Sequence, residues 1–255
     1  MRFCVLGSGS GGNATFVEAD STAILIDAGF SGKEIERRLG LVGVDPARIS
    51  AILVTHEHGD HVCGVGVLAR RYHLPVYIAA ATLGAAPNLG KLPEVRHITP
   101  GRSFQHKSLT IHPFATAHDA ADPLGYVVNH KGTAFGYCTD TGLVSKLIRH
   151  RLAGCHGLVL EANHDAEMLK NGPYTPALKQ RIASKTGHLA NHQAAGLLRE
   201  LATGGNLAHV VLAHLSGDNN HPDKVIAAIA EIIGNGPPDF SIASQDTVGE
   251  MIHLS

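Results

Sequence analysis

The seven residues Thr55-His56-Glu57-His58-Gly59-Asp60-His61 follow directly on the apolar stretch Ile49-Ser50-Ala51-Ile52-Leu53-Val54. An apolar, β-branched run that stops at such a polar segment reads as a strand whose end delivers its side chains to one place. Three imidazoles and two carboxylates within six positions constrain any fold, because each needs water, a partner or a metal once buried. Imidazole and carboxylate bind Zn²⁺, Mn²⁺ or Fe at neutral pH, and a bound cation lowers the pKa of a coordinated water to about 7. Two imidazoles two residues apart point the same way from extended chain, and a following turn can bring Asp60 and His61 to a neighbouring ion. The segment predicts hydrolytic metal chemistry, with Glu57 and Gly59 as spacers. A solvated polar loop is the competing reading, and it leaves the ligand density unexplained.

With 255 residues and 44% apolar content the chain can bury a sizeable core, and one domain spanning 1–255 is expected. Short apolar runs with turn-rich borders predict strands at 3–6, 14–19, 23–27, 51–55, 75–79, 109–115, 125–129, 133–138, 157–161, 207–213 and 239–243. Ala19-Asp20-Ser21-Thr22 and Asn129-His130-Lys131-Gly132 predict hairpin turns, so part of the sheet is antiparallel. Ser31-Gly32-Lys33-Glu34 has the capping-box pattern of a helix start, and further helices are predicted over 142–151, 176–184, 191–201 and 222–233. Strands clustered first, with helices around them in both halves, predict an α/β chain of packed sheets covered by helices.

A net charge of −1 excludes a global basic field for nucleic acid, although Arg37, Arg38, Arg70, Arg71, Arg149 and Arg151 leave room for local patches. Cys4, Cys63, Cys138 and Cys155 form no C-x-x-C pair and read as small buried hydrophobes in a reducing compartment. The start is too short for a signal-peptide core, and no apolar stretch approaches the roughly 18 residues of a membrane span. A soluble cytoplasmic protein is expected, with a homodimer left open.

Gly7-Ser8-Gly9-Ser10-Gly11-Gly12 matches the dinucleotide fingerprint literally, but Asn13-Ala14-Thr15-Phe16-Val17-Glu18 continues as a strand where that reading needs a helix. The glycines then serve a strand connection or, through free backbone N–H groups, an anion nest. More metal ligands must come from strand ends farther along, and His118, Asp140 and His214 each follow an apolar strand.

Thr55-His56-x-His58-x-Asp60-His61 with His118, Asp140 and His214 resembles the metallo-β-lactamase superfamily of binuclear hydrolases, over nearly the whole chain. Leu6-Gly7-Ser8-Gly9-Ser10-Gly11-Gly12-Asn13, Leu25-Ile26-Asp27-Ala28-Gly29, Glu161-Ala162-Asn163-His164-Asp165 and Ala213-His214-Leu215-Ser216 resemble its YycJ/WalJ branch, grouped with phosphodiesterases and nucleases. The resemblance implies a four-layer αββα sandwich of two mixed sheets flanked by helices. It implies that His56, His58 and His118 hold one metal, that Asp60, His61 and His214 hold the other, and that Asp140 bridges them. Asp27 resembles the acid that orients a metal-bound imidazole, with a turn-initiating Asp as the equal alternative.

His188, in Gly187-His188-Leu189-Ala190-Asn191, resembles the histidine before a helix in tRNase Z-like phosphodiesterases, and Glu161 matches its glutamate partner. That pair implies a proton donor for a departing alkoxide, against simple helix capping. The implied catalytic residues are Asp60, His188 and Glu161. The implied cofactors are two divalent ions, Zn²⁺ or Mn²⁺; iron fits less well because His58 stands where the diiron oxidoreductases have a glutamate. Ser8, Ser10, Asn13, His164, Ser216, Asn219 and Asn220 are candidate substrate contacts on loops beside the site.

The expected activity is a phosphodiesterase or nuclease acting on DNA or RNA ends, with a 5′-to-3′ exonuclease as its specific form. A thioesterase or lactonase of the same superfamily would use the same ligands. A metal-binding module without turnover would need a missing ligand, and none is missing.

Overall fold

The computed structural model describes residues 1–86, 89–230 and 238–255. The first half runs β1 (Arg2–Gly7), β2 (Ala14–Ala19), β3 (Thr22–Ile26), α1 (Gly32–Leu41), β4 (Ile49–Leu53), α2 (Gly59–Val62), α3 (Val65–Tyr72), β5 (Pro75–Ala79), α4 (Ala80–Ala85) and β6 (Glu94–Ile98). There follow β7 (Phe104–His106), β8 (Leu109–Ala115), β9 (Leu124–His130), β10 (Thr133–Cys138), α5 (Lys146–Leu152), β11 (Gly157–Glu161), α6 (Ala166–Asn171), α7 (Pro176–Ile182), α8 (Asn191–Ala202), β12 (His209–Ala213), α9 (Pro222–Ile229), β13 (Asp239–Ile242) and β14 (Ile252–His253).

The strands form two seven-stranded mixed sheets, ordered β14-β1-β2-β3-β4-β5-β6 and β13-β12-β11-β10-β9-β8-β7. Each sheet opens as an antiparallel meander and continues in parallel, from β3 to β6 in one and from β10 to β13 in the other. Both predicted hairpin turns are present, pairing Ala19 with Thr22 and His130 with Thr133. Asp20, Lys131 and Gly132 take the positive φ that such two-residue connections require.

Side-chain alternation explains why the strands look apolar throughout. In β1, Phe3 and Val5 face the other sheet while Cys4 and Leu6 face helices; in β12, Val211 and Ala213 face inward while Val210 and Leu212 face outward. A sheet covered on both faces needs apolar residues at every position. Three apolar layers follow: one between the sheets, one beneath α1 and α3 (Ile35, Leu39, Val65, Leu68), and one beneath α5, α8 and α9 (Ile148, Leu198, Val225). Three buried layers make four structural ones, the αββα sandwich.

The boundaries differ from expectation for identifiable reasons. The predicted strand 51–55 stops at Leu53 because the Asp27 carboxylate, rather than a neighbouring strand, takes the Thr55 N–H. The helix predicted from 142 starts at Lys146, where the Ser145 hydroxyl caps the Ile148 N–H. At α1, Ser31 caps the Glu34 N–H, but the Glu34 carboxylate turns to Arg37 and Arg38 instead of closing the box. The helix predicted over 222–233 is found at Pro222–Ile229, and 231–233 lie outside the described residues. β6, β7 and β14 and helices α2, α3, α4 and α6 lay outside the predicted elements. Cys4, Cys138 and Cys155 are buried, whereas Cys63 is exposed, and all four are free. Five of the six arginines are engaged: Arg37 and Arg38 bind Glu34, Arg71 binds Glu36, Arg149 binds Glu200, and Arg70 donates to the Leu89 carbonyl. No helix among the described residues is long and apolar enough to cross a membrane.

Phe135 sits fully buried between the sheets with its ring 4.5 Å from that of Phe3. Phe135→Ala is expected to cost about 3–5 kcal/mol of unfolding free energy by denaturant titration. A loss below about 1 kcal/mol would mean that the inter-sheet layer is not the main core.

Candidate metal centre

The ends of six strands converge on one place: Asp27 after β3, Thr55 to His61 after β4, His118 after β8, Asp140 after β10, Glu161 at the end of β11 and His214 after β12. Asp27, Asp140 and His214 have φ of 60°, 56° and 57°, the left-handed region that residues other than glycine seldom adopt. This turns the chain sharply where each strand ends. Such conformations persist only where surrounding structure enforces them, and they gather at functional sites.

The turn carrying His58 to His61 is seated by close backbone contacts. Asn13 N–H donates to the Asp60 carbonyl at 2.7 Å, Ala28 N–H to the His61 carbonyl at 2.9 Å, and Gly64 N–H to the Ala28 carbonyl at 2.7 Å. Gly29 permits the approach, since a Cβ there would lie 1.7 Å from the Asp60 carbonyl oxygen.

Asp27 is fully buried and orients two ligand candidates. Its carboxylate accepts from Thr55 N and Thr55 Oγ1, each at 2.8 Å, and lies 2.8 Å from His61 Nδ1. Thr55 Oγ1 is also 2.9 Å from His56 Nδ1. His118 Nδ1 is 3.1 Å from the Gly187 carbonyl, and His214 Nδ1 is 3.2 Å from Glu161 Oε1. In each of these four rings the outer nitrogen is thus occupied, and Nε2 is left to face the centre.

The inward atoms crowd together. His58 Nδ1 lies 3.0 Å from His56 Nε2 and 3.3 Å from His118 Nε2. Asp60 Oδ2 lies 3.4 Å from both His61 Nε2 and His214 Nε2. Asp140 stands between these groups, with Oδ2 3.4 Å from His61 Nε2 and Oδ1 3.5 Å from His214 Nε2 and 3.8 Å from His118 Nε2. His56, His58 and His118 form one set of donor atoms lying within 4.8 Å of one another, and Asp60, His61 and His214 form another.

The electrostatics call for positive charge here. Burial and the neighbouring His61 hold His56 well below the usual histidine range, and burial with His118 lowers His58, so both rings offer lone pairs. Burial opposes charge on His61 and His214, yet Asp140 and their other carboxylate neighbours push His61 well up and His214 to about 10. Against its own burial, Asp140 is held well below the carboxylate range by His214, His61 and His56. Its Oδ2 is buried without a hydrogen-bond donor. Facing imidazole lone pairs beside an unsatisfied buried carboxylate fit a cation.

Glu161 plays a different part. Its Oε2 accepts from Thr141 N and Leu189 N, both at 3.0 Å, and its Oε1 is 2.8 Å from His188 Nδ1. Burial works against the charge, but His188 keeps the carboxyl at about 2. Although Glu161 and His188 cluster with Asp140 and His214, the glutamate oxygens are already engaged within the protein. Burial would lower His188, and the Glu161 carboxylate raises it above the ordinary range. His188 borders a cavity of about 300 Å³ also lined by Ser10, Asp119, Asn163, Tyr174, Leu178, Arg181, Ile182, Gly187 and Ser216.

The candidate substrate contacts divide. Ser10 and Ser216 reach this cavity. Ser8 does not, since its hydroxyl donates to Asn13 Oδ1 and accepts the His214 N–H. Asn13 is fully buried, with its amide on the Gly9 carbonyl and Asp60. Asn219 is fully buried, and Asn220 is locked in a reciprocal amide pair with Asn191 while also bonding Ala162 and His221. His164 lines a separate cavity with Leu169, Lys179 and His192. Four N–H groups of the glycine run are already taken, those of Ser8, Gly9, Gly11 and Gly12 going to Ser244, Asn13, Gln245 and Gly9, which leaves no consecutive free pair among them for an anion nest.

Sequence reasoning passed over Asp119, Asn163 and Arg181. Asp119 Oδ1 lies 3.4 Å from His118 Nε2, and its Oδ2 accepts from Arg181 Nε at 2.5 Å. Asn163 Nδ2 donates to the His214 carbonyl at 2.8 Å. Adjacency to His118 was the available signal for Asp119.

A family model described as "Beta-lactamase superfamily domain" matches residues 22–215. The chain belongs to the metallo-β-lactamase superfamily. Within it, the chain is 37% identical over 236 residues to "Exodeoxyribonuclease YycJ" of Bacillus anthracis, covering 91% of this chain and 89% of that one. It is 39% identical over 226 residues to "Exodeoxyribonuclease WalJ" of Streptococcus pneumoniae serotype 2 (strain D39 / NCTC 7466), covering 86% and 83%. Among solved structures, the metallo-β-lactamase fold protein YhfI of Bacillus subtilis superposes with a TM-score of 0.75 at 17% identity, covering 98% of this chain and 99% of that one. The YycJ/WalJ resemblance and the superfamily's sandwich fold both hold.

Asp27→Asn replaces the carboxylate behind His61, and an outer partner of this kind is worth about 10–100-fold in metal affinity. Competition with a chromophoric chelator is expected to show that loss. Unchanged affinity would mean that His61 is not a ligand.

Proposed function

We propose that residues 1–255 act as one domain and that the protein is a metal-dependent nuclease, removing nucleotides from the 5′ end of DNA. The observation that carries this reading is the His188–Glu161 pair, 2.8 Å apart and bordering the cavity beside the ligand cluster. The exodeoxyribonuclease names of relatives covering most of the chain support it. The donor set fits two divalent ions, Zn²⁺ or Mn²⁺: His56, His58 and His118 would hold one, Asp60, His61 and His214 the other, with Asp140 shared. Bound there, such ions supply an activated water and draw charge from phosphoryl oxygens.

The protein's own contribution is orientation and proton transfer. Asp27, Thr55 and the Gly187 carbonyl fix the ring orientations of His61, His56 and His118. Glu161 holds His188 by Nδ1, which leaves Nε2 as the proton donor at the cavity. The Glu161 carboxylate beside Nδ1 raises the proton affinity of His188 against its burial, which favours the charged donor. As the phosphorus–oxygen bond breaks, the imidazolium Nε2–H protonates the departing oxygen and leaves a neutral imidazole whose Nδ1–H stays on Glu161. Glu161 remains a carboxylate throughout, supported by the Thr141 and Leu189 N–H groups.

The thioesterase or lactonase reading keeps the ligands but has less use for this acid, because a good leaving group departs unprotonated. The two are separated by assaying metal-loaded protein on 5′-labelled single- and double-stranded DNA, RNA, bis-p-nitrophenyl phosphate and a simple lactone. His188→Ala is expected to lower DNA cleavage by about 10²–10⁴-fold while metal content stays at the wild-type level. Lactone turnover without phosphodiester cleavage would overturn the nuclease reading.

A further inference from the structure

The cavity beside His188 has two kinds of wall. Ser10, Asn163, His188, Ser216 and the paired Asp119 and Arg181 are polar or charged, and Tyr174, Leu178 and Ile182 supply apolar surface. Leu178 and Ile182 lie four residues apart on α7, so they share a helix face. Tyr174 immediately precedes Thr175, the N-cap of α7, and its hydroxyl donates to Asp218 Oδ2 at 2.8 Å. The phenol is therefore pinned at its far end while the residue stays half-exposed. A phosphate alone asks only for cations and hydrogen-bond donors. An anchored aromatic ring that shares a cavity with two aliphatic side chains and a proton donor suits a flat apolar group attached to the leaving oxygen.

We propose that Tyr174, with Leu178 and Ile182, forms the stacking platform for the nucleobase of the nucleotide being released. This rests on the nuclease reading above. The platform adjoins the residue that protonates the leaving oxygen, so the base belongs to the leaving side of the scissile bond. For cleavage from a 5′ end, water adds to phosphorus, the P–O3′ bond breaks, and O3′ takes the proton from His188 Nε2. The released nucleotide is then the 5′-terminal one, with its base on Tyr174. Every base offers a π-face, so the platform tolerates all four.

The test pairs a deletion in the protein with one in the substrate. Metal-loaded wild type, Tyr174→Ala and Tyr174→Phe are assayed on single-stranded oligonucleotides whose 5′-terminal nucleotide is normal or abasic. On the normal substrate Tyr174→Ala should lower kcat/KM by about 5- to 150-fold, the range that base–aromatic stacking spans, chiefly through KM. On the abasic substrate it should cost little more than removing the base already does. Tyr174→Phe, which keeps the ring and loses the Asp218 hydrogen bond, should retain most of the coupling.

Equal losses on both substrates, or a Phe variant as poor as the Ala variant, would overturn the proposal and leave Tyr174 as a tether to the Asp218 loop. Cleavage without coupling removes only the platform. If the wild type cleaves neither oligonucleotide, the nuclease reading fails and the platform falls with it.

Discussion

One fully buried carboxylate fastens the ligand loop to the sheet. Asp27 leaves β3 in a left-handed conformation and takes both the backbone N–H and the hydroxyl of Thr55, together with His61 Nδ1. A buried carboxylate is costly unless its oxygens are satisfied, so this residue and the loop after β4 stabilise one another. Burial pushes the Asp27 carboxyl up, and His61 and Thr55 pull it back. The same contacts end β4, aim His56 and His61, and set where the remaining ligands must arrive.

The second sheet meets that loop with the same device. Asp140 and His214 also turn off their strands through positive φ, while Glu161 at the end of β11 gathers His188, His214 and two backbone N–H groups. Tyr126, buried between the sheets, donates its hydroxyl to the Val54 carbonyl just before Thr55. The candidate ligands are thus carried by a packed core, with loops supplying only the last few residues. Packing of this kind suits a site in which nitrogen and carboxylate donors must be held close together.

Much of this was legible in the sequence because the informative signals were local. His56 to His61 stand in one run, the hairpins at Asp20 and Lys131 are two-residue turns, and His118, Asp140 and His214 each follow an apolar strand. Short or polar elements escaped notice. β6 reads Glu-Val-Arg-His-Ile and is exposed at four of its five positions, so it lacks the apolar signal of a central strand. α3 begins Val-Gly-Val and owes its form to the packing of Val65, Leu68 and Ala69 rather than to propensity. The misjudged contacts were non-local. Gln245 takes the Gly11 N–H from the far end of the chain, and Asn191 pairs with the Asn220 amide. Tyr174 and Arg181 carry no motif, and only the fold brings them beside His188.

The central claim is that this cluster is built for two cations serving hydrolysis. Elemental analysis of purified protein, run alongside the Asp140→Asn variant, measures it most directly. The account predicts close to two Zn²⁺ or Mn²⁺ per wild-type chain and a clear deficit in the variant, which lacks the shared carboxylate. Wild-type protein that degrades DNA fully while binding no divalent metal, or a variant with undiminished metal content, would contradict it.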